Sequence, residues 1–167
     1  GVERMAGFVI TNVSIFDGES PQLKTGEIRI DGNRITAVTS GGAHADRTGA
    51  ELIDGQGQTL MPGMVEAHSH LTFPSALDRI VTGGLPPPEQ HQFVTIHNAQ
   101  VLLDHGFTSC FSGGAARPNI EVALRDEIDA GWLAGPRIKA ASFERGASGV
   151  RETYAPTVEQ ARQFATE

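Results

Sequence analysis

His68 and His70 are the residues of this chain best suited to chemistry. They close the run Leu60-Met61-Pro62-Gly63-Met64-Val65-Glu66-Ala67, which reads as a buried strand entered through a Pro-Gly turn. On a strand, alternate side chains share a face, so these two imidazoles project together, roughly 6–7 Å apart along the chain. On a helix the same spacing sends them to nearly opposite sides. Two imidazoles at one strand end are half of a metal site, because zinc accepts such nitrogens at about 2.0–2.1 Å. Six histidines in 167 residues give roughly 0.2 His-x-His pairs by chance, so a bare pair is a weak motif. The setting strengthens it. A polar His-Ser-His ending an apolar strand is costly to bury without partners, and a metal ion is such a partner.

The other reactive side chains are weaker candidates. His91 and His97 fall on a predicted helix and His105 near its end; such histidines are ordinarily solvated or placed at a helix terminus, and none is nominated as a ligand. His44 lies in a Gly-rich loop and reads as solvated. Cys110 is the single cysteine, which excludes an intrachain disulfide. It sits inside a strand near Phe107 and Phe111 and reads as a small buried hydrophobe rather than a reactive thiol. Ser112-Gly113-Gly114 either offers backbone N–H groups to a substrate or turns the chain. Phe73 and Pro86–Pro88 either wall a pocket or form an inert loop. Phe73, Ser112 and Gly113 are therefore the candidate substrate contacts.

The elements that position these residues change character along the chain. Residues 8–16, 27–30, 34–38, 51–53 and 58–60 are short runs rich in β-branched residues, separated by Asp-Gly and Gly-rich turns. Residues 1–60 therefore read as a small all-β unit. After His70 comes a Pro- and Gly-rich stretch with one helical turn expected near Ala76–Ile80. Apolar spacing predicts a helix from Glu89 to His105 with Phe93, Ile96, Ala99 or Gln100, and Leu103 inward. A strand follows over Phe107–Phe111, then a helix started by Pro118 with Ile120, Ala123 or Leu124, and Ile128 inward. Trp132 and Leu133 are expected to pack its end into the core. A third strand spans Pro136–Phe143, and Thr157 with Gln160 has capping-box spacing for a last helix. Strand, helix, strand, helix, strand implies parallel strands with right-handed crossovers. In such folds the chemistry sits at the carboxyl ends of the strands, where His68 and His70, Ser112–Gly114, and Ser142–Arg145 all lie.

Composition narrows the function classes. The chain is 39% hydrophobic and 20% charged, as in ordinary globular proteins, and its net charge of −7 argues against nucleic acid or an anionic membrane as main partner. No apolar run approaches the roughly 18 residues a bilayer-spanning helix needs. The first residues lack the pattern of a secretory signal, so a cytoplasmic location is expected.

Met61-Pro62-Gly63-Met64-Val65-Glu66-Ala67-His68-Ser69-His70 resembles the metal-dependent amidohydrolase superfamily, particularly its imidazolonepropionase-like and prolidase-like members. The family pattern is Pro-Gly-hydrophobic-hydrophobic-Asp-x-His-x-His. Asp31-Gly32-Asn33-Arg34-Ile35-Thr36-Ala37-Val38 is similar to the family's β-sandwich hairpin. Gly106-Phe107-Thr108-Ser109 and Gly135-Pro136-Arg137-Ile138 resemble the starts of its second and third barrel strands. Glu66 departs from the usual Asp; it is expected to share the face of His68 and His70.

The resemblance implies an α/β fold: the amino-terminal part of a (β/α)8 TIM barrel over residues 61–167, preceded by a β-sandwich segment over residues 1–60. A whole barrel takes about 250 residues, so the chain looks incomplete, with about three barrel strands. A strand normally found between Gly149 and Tyr154 is missing, and the chain is expected to be discontinuous near 149–154. The resemblance further implies one or two Zn²⁺ ions held by His68 and His70, with the general base and remaining ligands on later strands; Lys139 falls too early to be one. The implied activity is hydrolysis of an amide or related C–N bond in a small molecule by metal-activated water. The alternatives are a ring-amidine deaminase of the same superfamily, or a non-catalytic βα fragment with a structural histidine pair. The implied partner is the rest of the same barrel, and a homo-oligomer stays open.

Overall fold

The computed structural model describes residues 7–74, 85–142 and 157–166. The helical turn expected near Ala76–Ile80, the loop from Glu144 to Gly149 and the discontinuity near 149–154 lie outside the described residues. The chain divides into two compact units, Gly1–Pro62 and Gly63–Glu167.

The first unit holds β1 (Gly7–Ile15), β2 (Lys24–Asp31), β3 (Arg34–Ser40), β4 (Ala50–Asp54) and β5 (Thr59–Leu60). They form one sheet in the order β3-β2-β1-β4, with β5 also on β1. β1–β2 and β2–β3 are antiparallel, whereas β4 and β5 run parallel to β1. Asp31-Gly32-Asn33 makes the tight β2–β3 connection, and Gly32 supplies its positive φ of 62°. Val13, Ile15 and Ile28 are buried together, with Ile10, Ile30 and Leu60 packed around them. The described residues of the first unit form this one sheet.

The Gly-rich loop after β3 is anchored from below. The buried Glu27 carboxylate accepts from His44 Nδ1 (2.8 Å), the Ala45 backbone N–H (2.9 Å) and the Arg47 guanidinium. His44 is exposed, but it is a clamp on Glu27 rather than merely solvated. Together these donors hold the Glu27 carboxyl down to about 2, with His44 the largest contributor.

The second unit alternates β6 (Met64–Ser69), α1 (Pro88–Asp104), β7 (Phe107–Ser112), α2 (Ile120–Asp129) and β8 (Arg137–Lys139), followed by α3 (Val158–Thr166). β6, β7 and β8 form a parallel sheet in that order. Leu71, Ala99, Cys110, Leu124 and Ile138 make the core beneath the helices, with Ile96, Leu102, Ile128 and Leu133 against it. The expected inward residues of α2 hold at Ile120 and Leu124. Those of α1 hold only in part. Its buried residues are His91, Thr95 and Ala99, while Phe93 is 73% exposed. Trp132 is likewise 79% exposed and does not pack the end of α2, a role left to Leu133. The expected capping box of α3 forms: Gln160 N–H donates to Thr157 Oγ1 (3.2 Å), and Thr157 N–H to Gln160 Oε1 (3.2 Å).

β6 is not the fully buried strand that its apolar sequence predicts. Val65 is 65% exposed, and Met64, Ala67 and His68 are exposed as well. On β7, Phe111 is also exposed, so one sheet face is covered by helices and the other is open among the described residues.

Candidate metal centre

The site forms where the parallel strands end. Ser69 C=O accepts the Gly113 N–H (2.7 Å) and Ser142 C=O accepts the Ala115 N–H (3.1 Å), which stitches the carboxyl ends of the three strands into one rim. At the other end of β6, Gly63 is required: a Cβ there would drive into the Thr108 side chain.

β6 reaches the rim through a bulge. Glu66 pairs with Cys110 and Ser69 with Ser112, so three steps on β6 oppose two on β7. Bulges of this kind re-aim side chains next to active sites. Strict alternation is broken between Glu66 and the histidines, so the shared face expected for Glu66 no longer follows from spacing. Its carboxylate turns back on its own chain and accepts the His68 backbone N–H at 3.0 Å.

The two histidines converge. Their ring centroids are 5.0 Å apart with planes inclined by 73°, and the two Nε2 atoms are 3.2 Å apart. Two nitrogens bound to a tetrahedral zinc at about 2.0–2.1 Å lie roughly 3.3 Å from one another. His70 Nδ1 is 3.0 Å from the Gly114 carbonyl, which can only accept, so in the neutral ring Nδ1 carries the proton and Nε2 presents its lone pair. That carbonyl contact is the usual orienting partner of a metal-ligating histidine. The pair therefore fits a zinc ion as two of its ligands. Among the described residues no group of three or more His, Cys, Asp or Glu side chains is arranged to hold a metal.

The neighbours of the pair are set by close packing. A Cβ on Gly113 would meet His68 Nε2 at 2.5 Å and Cε1 at 2.7 Å, so the ring lies directly on a backbone that only glycine leaves free. The Phe73 ring meets His70 edge-on, with centroids 5.4 Å apart. Gly113 and Phe73 thus stand beside the histidines. Ser112 is buried, and its hydroxyl accepts the Gly114 N–H at 3.2 Å. The Gly113 and Gly114 N–H groups are used within the chain, so this segment turns the backbone and braces His68. His97 and His105 are exposed, and His105 Nδ1 lies 2.7 Å from the Val101 carbonyl at the end of α1. Cys110 is buried as expected, which pushes its thiol up.

Two buried polar residues escaped sequence reasoning. Glu121 on α2 is 1% exposed and faces the Ser112 hydroxyl and the Leu71 and Ala141 amides without a well-formed hydrogen bond to any described group. Burial raises its carboxyl above the ordinary range, opposed by Ser112, those amides and His70. His91 is fully buried; its Nε2–H donates to the Thr72 carbonyl and its Nδ1 accepts from Arg117 Nε at 2.8 Å. The only signal available was the unusual polarity of α1 at positions 91, 95 and 98.

A cleft of about 430 Å³ runs past Glu66, His68, His70, Phe73, Asn98 and Leu102. The edge of β6 away from β7 pairs with no strand among the described residues. Such an edge offers free backbone N–H and C=O groups to a further strand.

Comparison with known proteins finds amidohydrolase-like relatives. The Xaa-Pro dipeptidase solved with methionine in its active site matches 93% of this chain with a TM-score of 0.72 and 27% identity. The chain resembles the metal-dependent amidohydrolases. A Bifidobacterium longum protein assigned as a prolidase matches 96% of this amidohydrolase-like chain with a TM-score of 0.74 and 26% identity. Among curated relatives, adenine deaminase 2 of Shouchella clausii (strain KSM-K16) is 22% identical over 153 residues, 86% of the chain. N-acyl-D-aspartate deacylase of Alcaligenes xylosoxydans xylosoxydans is 30% identical over 83 residues, 47% of the chain. The chain spans 24% and 16% of those two relatives, and 40% and 37% of the two solved proteins. No protein-family model matches it. The fold is mixed α/β, and no helix among the described residues is long and apolar enough to cross a membrane.

Proposed function

We propose that these residues belong to a metal-dependent hydrolase that cleaves an amide or related C–N bond of a small molecule. The observation that carries this reading is the convergence of two Nε2 atoms at 3.2 Å on a parallel-strand rim, with His70 oriented by a backbone carbonyl. His68 and His70 would hold Zn²⁺, which lowers the pKa of bound water towards about 7 and polarises the scissile carbonyl. Gly113 lets the His68 ring reach its position, and Phe73 walls the space beside His70. On this reading residues 1–60 are part of a composite β-sandwich and residues 61–167 the first strands of a (β/α)8 barrel. Further strands would supply the remaining ligands and the general base, pair with the free edge of β6 and cover the open face of its sheet.

The relatives divide between a deaminase and a deacylase or dipeptidase, reactions that share attack of water on a carbon bearing a leaving nitrogen. Full-length protein assayed for metal content, for hydrolysis of N-acyl amino acids and Xaa-Pro dipeptides, and for ammonia release from adenine tests the proposal. His68→Ala and His70→Ala are each expected to lose bound zinc and at least about 100-fold in turnover. Undiminished metal and turnover in both variants would overturn it.

A further inference from the structure

The loop that follows His70 is held by one face of α1. Asn98 Nδ2 donates to the Leu71 carbonyl at 2.7 Å and to the Phe73 carbonyl at 3.0 Å. His91 Nε2–H donates to the carbonyl between them, that of Thr72. Three successive carbonyls are thus gripped by two side chains seven residues apart, two turns of helix on the same face. Thr95, one turn from His91, turns its hydroxyl back to the His91 carbonyl at 2.9 Å and leaves the grip undisturbed.

The grip is itself braced from the β7–α2 loop. Arg117 Nε donates to His91 Nδ1 at 2.8 Å, which fixes the ring in the tautomer that donates from Nε2, and its Nη2 donates to the Pro86 carbonyl at 2.9 Å. The Ala116 N–H donates to Thr72 Oγ1 at 2.7 Å. Leu71 and Thr72 are fully buried by this arrangement, and Phe73 is set edge-on to the His70 imidazole. The backbone immediately after His70 is therefore held at three successive carbonyls.

We infer that Asn98 and His91, with Arg117 behind His91, are positioning residues that fix the His70 imidazole for metal binding by clamping the carbonyls of Leu71, Thr72 and Phe73. The inference rests on the reading of His68 and His70 as metal ligands. Asn98→Leu keeps side-chain size and removes both donors, and His91→Leu removes the third. His91→Gln retains a donor for the Thr72 carbonyl and an acceptor for Arg117.

The test uses the full-length protein, with zinc affinity measured by chelator competition and hydrogen exchange followed on peptides covering residues 71–74 in the metal-free state. Val13→Ala in the first unit serves as a destabilised control. Asn98→Leu and His91→Leu are expected to weaken zinc binding by about 10–100-fold and to speed exchange in that loop. His91→Gln should recover most of the affinity, and Val13→Ala should change neither readout. Wild-type affinity in Asn98→Leu and His91→Leu, or a loss shared by Val13→Ala, overturns the inference. Zinc that binds the wild type but ignores His68→Ala and His70→Ala overturns the ligand reading instead, so the two failures are distinguishable.

Discussion

At the scale of single residues, the site depends as much on an absent side chain as on the two imidazoles. Gly113 lies so close to His68 that a methyl group would meet the ring at 2.5–2.9 Å. Gly113→Ala is therefore expected to displace the ring, with about a 10–100-fold loss of zinc affinity and little change in the far-UV circular dichroism of the full-length protein. Affinity equal to wild type would show that the ring can yield at no cost. The histidine pair itself was legible because i, i+2 spacing on a strand needs only the pleat to bring side chains together. Gly113 was legible as a turn residue but not as a brace, because nothing local in the sequence says which ring it will face. Ser112 was ambiguous for a related reason: a small polar residue at a strand end looks alike whether it faces a ligand or the Gly114 amide.

At the scale of elements, α1 shows where apolar periodicity fails. Phe93, Ile96, Ala99 or Gln100, and Leu103 suggested an inward face; Ala99 is buried and Ile96 packs against the core, but Phe93 is exposed and the other buried positions are His91 and Thr95. His91 and Asn98 hydrogen-bond backbone carbonyls of a loop 19 to 27 residues earlier in the chain, a role for helix positions that hydrophobic spacing does not register. α2 was read correctly at its apolar positions Ile120 and Leu124, but not at the buried Glu121 beside them. The β6 bulge was also invisible, since it lies at no glycine or proline. Urea unfolding distinguishes the two faces of α1. Phe93→Ser should change stability by less than about 0.5 kcal/mol, whereas Ala99→Leu should cost about 1–3 kcal/mol by overpacking. The reverse ranking would restore Phe93 to the core.

At the scale of the molecule, the two units carry opposite pH chemistry. In the first, Asp17, Glu27, Asp46 and Asp54 all sit below the ordinary carboxylate range: backbone N–H groups dominate for Asp17, Asp46 and Asp54, and His44 with Arg47 for Glu27. Asp17, Asp46 and Asp54 are exposed enough for solvent to screen most of their effect, so Glu27 carries the larger share. A carboxylate held down stabilises the fold above its ordinary value of 4.5 and loses that contribution as pH falls towards about 2. In the second unit burial raises Glu121, so its cost appears as pH climbs above 4.5 and grows until the folded value is passed. Acidification from about pH 5 to about pH 3 is expected to open the first unit before the second in peptide-resolved hydrogen exchange. Glu121→Gln is expected to match wild type near pH 4 and to gain about 2–4 °C in melting temperature as the medium becomes alkaline. Simultaneous opening of both units, or a pH-independent difference for Glu121→Gln, would contradict this division.

The polar inner face of α1 also bears on how such a protein can be improved. Redesign for thermal robustness favours apolar residues at enclosed helix positions, and His91, Thr95 and Asn98 are the positions it would choose to rewrite. A variant carrying leucine there would gain apolar packing in the core and lose its hold on the segment behind His70. For this helix, selection for heat resistance and selection for a firmly held His70 pull the same codons in opposite directions.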